Sequence, residues 1–310
     1  GGIGLKSARW LAGLGAGHLV LLGRRGLDTP GIADAVAELQ ALGTQVHVYT
    51  CDVTERSALA AVLSEIRRDL PPLRGVLHAA MVLDDALLRN LDATRFRAAL
   101  APKVQGAWNL HQLTLDLALD FFIMYSSATT FIGNPGQANY VAANLFLESL
   151  AAMRRAEGLA ATCVCWGAIG DVGYLTRHAA VKDGLQARLG GDALTSDQAL
   201  AVLGAMLASN QDGLAVLDFD WHTLQRFLPA TQAPRYDDLR RKAGGSNASG
   251  DQTEDIRSLL MGKSAEETLD IVATLLAGEV AQILQIPAER IDRSRSLYDI
   301  GMDSLMGMEL

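Results

Sequence analysis

Cysteine is scarce, long apolar runs are missing and positive charge is in deficit, and each shortage removes a class of protein. The 310 residues hold three cysteines, Cys51, Cys163 and Cys165. Three thiols build no disulfide framework, and the Cys-x-Cys pair on a strand-like run turns both to one buried side, which fits a reduced, cytoplasmic compartment. No stretch approaches the ~20 apolar residues of a membrane span. No basic segment leads into an apolar one as in a secretory signal, so no membrane partner is expected. Basic residues number 27 against 35 acidic, a formal net charge of -8, which argues against a nucleic-acid surface. No metal site is expected either. The chain opens at Gly1, inside a motif, rather than at a methionine, and reads as a fragment of something longer. What remains, 49% hydrophobic residues, is ample for the core of one large domain, or of a large one plus a small one.

The richest stretch is Ser127-Ala-Thr-Thr-Phe-Ile-Gly-Asn-Pro-Gly-Gln-Ala-Asn-Tyr140-Val-Ala-Ala-Asn144. It follows an apolar run, Phe121 to Tyr125, that reads as a buried strand, and leads into Ala142 to Arg155, whose apolar spacing reads as a helix. Tyr140 and Asn144, four apart, share a helical face, and the Gly133-Asn134-Pro135-Gly136 turn folds that face back towards the strand end. A hydroxyl, a phenol and a carboxamide can therefore converge.

Upstream, Gly1-Gly2-Ile3-Gly4 followed by Ala8, Leu11, Ala12 and Leu14 reads as a glycine-rich turn opening a helix, where small residues let the backbone approach a pyrophosphate. His18 to Leu22 is a short strand run ending in Gly23-Arg24-Arg25-Gly26, where a dinucleotide fold reads the adenosine ribose. Guanidinium forks suit a 2′-phosphate, so Arg24 and Arg25 point to NADPH, unless both are simply solvated. Helical spacing at Ile32 to Leu42 and Ala58 to Ile66 alternates with strand runs at Gln45 to Thr50 and Gly75 to Ala79. Such alternation implies right-handed crossovers and a doubly wound parallel α/β sheet of Rossmann type. Leu91 to Leu119 reads as a long helical region in which Pro102 marks a break or a start. Cys163 to Trp166 is a further strand, Gly167 to Gly173 a loop that bends near a ligand, and the stretch to about Gly191 an irregular lid. Ser196 to Ala208 is helical and Leu214 to Phe219 the last strand.

Arg240-Arg241-Lys242 and the Gly, Ser and Asn-rich residues after it read as a solvated linker. Beyond it, Glu266 to Leu284 carries one apolar stripe (Leu269, Val272, Leu276, Val280, Ile283, Leu284), and Ser304 stands in Gly301-Met302-Asp303-Ser304-Leu305 where a new helix begins. A lone serine there is by default an N-cap.

With Ser127 thirteen positions before Tyr140, the chain resembles the short-chain dehydrogenase/reductase superfamily, most of which has lysine where Asn144 stands. A lysine at Lys103, within Ala-Pro-Lys-Val-Gln-Gly-Ala-Trp-Asn-Leu, together with Asn144 resembles the ketoreductase domain of type I polyketide synthases. Gly-Met-Asp-Ser-Leu resembles the acyl carrier protein signature. These resemblances imply residues 1–230 as an NADPH-binding ketoreductase, 231–262 as a flexible linker and 263–310 as a small all-α carrier domain, a four-helix fold cut off inside its second helix. They imply Ser127, Tyr140, Lys103 and Asn144 as catalytic, and Gly1, Gly2, Gly4, Arg24, Arg25, Asp52, Val53, His78, Ala79 and Ala80 as cofactor-binding, with Arg24 the contact favoured of the two arginines. Asp52 has a rival role as a helix cap. Ser304 becomes the attachment point of 4′-phosphopantetheine, which a phosphopantetheinyl transferase adds. The substrate becomes a β-ketoacyl chain on that carrier, with ketosynthase and acyltransferase domains upstream in the same polypeptide. Leu83-Asp84-Asp85, and Ile132 where the opposite group has tryptophan, resemble the B-type group that forms 3R alcohols, and Ala142, where a subgroup has proline, matches ketoreductases that select no epimerised α-methyl. Two rival readings stand beside this one: a catalytically silent reductase fold scaffolding a carrier domain, and a free-standing alcohol dehydrogenase acting on a diffusible ketone.

Overall fold

The computed structural model describes residues 1–242, 259–284, 287, 290–300 and 302. They fall into two units, Gly1–Phe219 and Asp220–Leu310.

In the first unit every strand pairing is parallel. β1 (His18–Gly23) pairs with β2 (Gln45–Thr50), and β3 (Gly75–His78), β4 (Phe121–Ser127), β5 (Thr162–Trp166) and β6 (Leu214–Val216) lie side by side in that order. α1 (Gly2–Gly13) precedes β1; parallel neighbours need crossovers, and helices supply them: α2 (Ile32–Ala41), α3 (Arg56–Asp69), α4 (Ala93–Leu113), α5 (Thr129–Ile132), α6 (Ala138–Ala156), α7 (Tyr174–Arg177), α8 (Ala179–Leu189) and α9 (Ser196–Ala208). The doubly wound α/β architecture read from the sequence is present.

The unbroken apolar run of β4 follows from burial on both faces. Phe122 and Met124 enter a core with Leu59, Leu63 and Ile66 of α3, Leu110 of α4 and Leu147 and Leu150 of α6. Ile123 and Tyr125 enter the other, with Val164, Trp166 and the α9 residues Leu200 and Leu203. Among the described residues β1 and β3 share no ladder, so the sheet is in two pieces. α1 joins them: Ala8 and Ala12 pack with Leu19 and Leu21 of β1, while Ile3 and Trp10 pack in the cluster that holds Leu77 of β3.

Three sequence expectations are corrected. Pro102 neither breaks nor starts a helix but lies inside α4. Asp92 sets the start instead, accepting from the backbone N–H groups of Thr94 at 2.8 Å and Arg95 at 2.9 Å. A mid-helix proline costs about 3 kcal/mol, and burial of Ala99, Lys103, Gly106, Ala107 and Leu110 on both sides of it holds the helix through the lesion. The lid contains two helices, α7 and α8, rather than irregular chain, and β6 ends at Val216 rather than Phe219.

The regular structure among the described residues of the second unit is helical. α10 (Trp221–Phe227) is followed by 3₁₀ turns at Pro229–Gln232 and Pro234–Tyr236 and by α11 (Asp237–Lys242). The expected linker therefore opens on ordered chain, and Arg240 and Arg241 are helical, paired with Asp237 and Asp238 one turn earlier. Residues 243–258 lie outside the described residues. α12 (Ala265–Ile283) opens on a reciprocal cap, Ser264 N–H to Glu267 at 2.8 Å and Glu267 N–H to Ser264 Oγ at 3.2 Å. Of its apolar stripe, Val280 is buried while Leu269 and Leu276 are exposed. Gly301, Asp303 and Ser304 lie outside the described residues; Met302, among them, is buried. No helix among the described residues is long and apolar enough to cross a membrane.

Candidate active site

The parallel register sets Ser127, the last residue of β4, beside Trp166, the last of β5, and His78, the last of β3, beside Met124. Strand ends therefore gather on one rim, where an open α/β sheet forms its crevice. Gly133 and Gly136, at φ values of 77° and 82°, make the turn that returns the chain to that rim as α6, with Tyr140 in its first turn.

Ser127 and Asn144 both act on the Tyr140 hydroxyl. Burial pushes the phenol above its ordinary value; the Asn144 side chain pulls it down, the Asp85 carboxylate pushes it up and Ser127 pulls it down. Burial dominates, so the phenol stays protonated at neutral pH. Lys103 Nζ lies 5.5 Å from the centroid of the Tyr140 ring and donates to Tyr125 O at 2.8 Å. The four expected catalytic residues and Asp85 are thus one constellation. Burial outweighs the pull on that hydroxyl, and Lys103 is not among the groups shifting it.

Two groups in this crevice can still serve a ligand. Ser127 Oγ accepts from Thr129 N–H at 3.3 Å and Thr129 Oγ1 at 3.0 Å, which leaves its own O–H as a donor. Asn144 donates to Tyr140 O at 2.8 Å, and its Oδ1 is buried without a hydrogen-bond partner. Tyr125, which no sequence motif marks, fastens the site from behind: its carbonyl holds Lys103, its hydroxyl bonds Ser7 of α1 at 2.7 Å, and its ring meets Trp166 edge-on.

The expected cofactor residues fit a dinucleotide. α1 has neither a side-chain cap on its first N–H groups nor an acid in its first turn, which suits an anion at its start. A side chain at Gly2 would collide with the Gly173 backbone, and a Cβ at Gly4 would lie 3.8 Å from that of Ala79, whose neighbour Ala80 continues the rim. Arg24 and Arg25 are exposed at the end of β1. The positive charges of Arg177, on the lid, and of Arg25 both reach the start of α1. Arg177 carried no sequence signal. Asp52 does not cap α3; its carboxylate turns onto Thr54, accepting from N–H at 3.0 Å and Oγ1 at 2.8 Å. The peptides after it are fixed by Asn109, which donates to Val53 O and Thr54 O. His78, buried, donates Nε2–H to Pro102 O at 2.9 Å, and burial lowers its pKa to about 4, so it stays neutral.

Residues 1–171 match the family model described as KR domain. The chain belongs to the KR domain family. Its residues 274–310 match a second model, described as phosphopantetheine attachment site. The reducing polyketide synthase PKS1 of Cochliobolus heterostrophus is 37% identical over 100% of this chain and 12% of its own length. The phenolphthiocerol synthesis polyketide synthase type I Pks15/1 of Mycobacterium marinum is 37% identical over 100% of this chain and 15% of its own. The KR chain thus spans 12–15% of these two relatives. Among solved structures, an A1-type ketoreductase shares 38% identity and a TM-score of 0.72 over 79% of this chain and 52% of its own. A ketoreductase from the first module of phoslactomycin biosynthesis in Streptomyces sp. HK803 shares 32% and 0.72 over 78% and 56%. The KR domain is an oxidoreductase of polyketide biosynthesis; its cofactor is NADPH, and that of the attachment region is 4′-phosphopantetheine.

The buried ammonium yields a test. Desolvation lowers the pKa of Lys103 from 10.5 to about 8. The unfolded chain binds this proton between those values and the folded chain does not, so stability rises with pH across that window. Below it the full penalty stands, on the order of 3 kcal/mol. Lys103→Met is expected to raise the urea midpoint at pH 7, with the gain fading by about pH 10. A midpoint unchanged or lower at pH 7 overturns this.

Proposed function

We propose that the Gly1–Phe219 unit reduces a β-ketoacyl thioester, presented on a phosphopantetheine arm, to the β-hydroxyacyl thioester. The carrying observation is the convergence of Ser127, Asn144 and Lys103 on a protonated Tyr140. Bound NADPH supplies the hydride. The chain's own task is the oxyanion that develops on the carbonyl. Tyr140, kept protonated by its surroundings, gives that oxygen its phenolic proton, and the O–H of Ser127, turned from the phenol to the substrate, hydrogen-bonds the same atom and orients it. Lys103, whose ammonium lies 5.5 Å from the Tyr140 ring centroid, heads the path that returns a proton to the phenolate left behind. The unpartnered Oδ1 of Asn144 accepts from Lys103 or from a water that returns the proton. General acid catalysis is worth about 10²–10⁴-fold. Tyr140→Phe is therefore expected to cut reduction of a β-ketoacyl thioester, followed by NADPH oxidation, by more than about tenfold. A smaller loss removes Tyr140 from this role.

Gly1, Gly2 and Gly4 would cradle the pyrophosphate, Ala79 and Ala80 would let the dinucleotide lie against the sheet rim, and His78 with Val53 would support it from behind. Arg24 and Arg25 would read the 2′-phosphate, which makes NADPH preferred over NADH. Arg24→Ala should erode that preference in kcat/KM; equal use of both cofactors by the unaltered protein counts against the assignment.

Downstream, residues 263–310 are read as the carrier domain, joined through 231–262, with Ser304 as the site a phosphopantetheinyl transferase loads. The mass gain on loading should vanish in Ser304→Ala. Its persistence would move the attachment elsewhere. Ketosynthase and acyltransferase domains of the same polypeptide, in the cytoplasm, are the proposed neighbours.

Leu83-Asp84-Asp85 and Ile132 support a B-type, 3R product, and Ala142 a domain that selects no epimerised α-methyl. Structural neighbours include an A1-type ketoreductase, so the shared fold is compatible with either hand, and the reading rests on these marker residues. A predominantly 3S alcohol, resolved by chiral chromatography, overturns it.

A further inference from the structure

The Leu83–Asp85 loop and the helix that carries Tyr140 are far apart in sequence, yet a compact set of bonds fastens one to the other. Ala86 N–H donates to Gly136 O at 2.9 Å. Gln137 Nε2 donates to Asp85 Oδ2 at 2.7 Å, while its Oε1 accepts from Asn134 at 2.9 Å, so the amide is held at both ends. Deeper in, Asn139 is fully buried. Its Nδ2 donates to Asp84 O at 2.8 Å and to Arg95 O at 3.4 Å, and its Oδ1 accepts from Tyr140 N–H at 2.9 Å. From the far side Arg95 donates to Asp85 O at 3.1 Å and pairs with Asp84 at 3.2 Å.

A buried carboxamide with its donors and its acceptor engaged is a specific device, since each bond it lost would strand a backbone group away from water. Here the groups it satisfies belong to the loop, to α4 and to the Tyr140 peptide. The loop cannot move relative to the phenol without breaking them. The charge of Asp85 also reaches the Tyr140 hydroxyl, so the carboxylate that Gln137 grips faces the proton donor.

We propose that Asn139 and Gln137 are positioning residues that set which face of the ketone is reduced, by locking the Leu83–Asp85 loop to Tyr140 as one rigid unit. A substrate arm guided by the loop then meets the phenol at a fixed angle. Loosening the lock lets both carbonyl faces present themselves. This rests on the ketoreductase function proposed above, not on the hand of its product.

The test is the enantiomeric ratio of the alcohol formed by the full polypeptide from a simple β-ketoacyl thioester, read with kcat and KM. Gln137→Leu and Asn139→Ser are each expected to lower the ratio by about fivefold or more, whichever enantiomer leads, the scale of a single lost bond. Should Asn139→Ser fail to fold, the Gln137 variants at the rim decide. Gln137→Glu sets two carboxylates face to face and should lower the ratio; Gln137→Glu combined with Asp85→Asn exchanges donor and acceptor and should restore it. A structural defect alone would lower the yield of folded enzyme without that rescue. An unchanged ratio in Gln137→Leu and Gln137→Glu overturns the proposal. A wild-type 3S product overturns only the B-type reading, and absence of any reduction overturns the function itself.

Discussion

The site depends on keeping a lysine ammonium inside the protein. Lys103 is 2% exposed and is held by one backbone carbonyl of β4, with no carboxylate among the described groups acting on its charge. Burying an unpaired cation is among the least favourable acts in folding. It is tolerated because α4 and β4 are anchored independently, by the apolar core that packs Leu110 against Phe122 and Met124. The consequence is chemical: an ammonium that titrates close to neutrality, beside a phenol that does not. Stability is given up where function is gained, as is general for polar groups concentrated in a catalytic crevice.

Much of this was legible in the sequence. Buried parallel strands announce themselves as apolar runs bounded by small or polar residues, and Phe121 to Tyr125 and Cys163 to Trp166 are such runs. The Ser127, Tyr140 and Asn144 spacing depends only on a strand end, a glycine turn and the helical repeat, all local, so it survives into three dimensions. Lys103 is different. Nothing local links it to Tyr140; its role came from a family resemblance, and the structure supplies the reason for its place, the carbonyl of Tyr125.

What the sequence hid was set by tertiary context. Pro102 carries a strong local signal for breaking a helix, yet buried residues on both sides override it. Arg240 and Arg241 look like a solvated run because their partners, Asp237 and Asp238, become neighbours only once the segment is helical. Gln137 and Asn139 pass for ordinary members of a turn, since a carboxamide's purpose lies in the carbonyls it meets, and those belong to a loop some fifty residues earlier.

Tyr125 has a wider implication. Its two polar ends serve different partners: the carbonyl holds the lysine, and the hydroxyl holds Ser7 on the helix whose start would receive the cofactor's phosphates. The start of α1, proposed to seat the cofactor, and Lys103, proposed to take part in proton transfer, therefore share a single spacer. A change at buried Ser7 therefore bears on the lysine's seat through Tyr125.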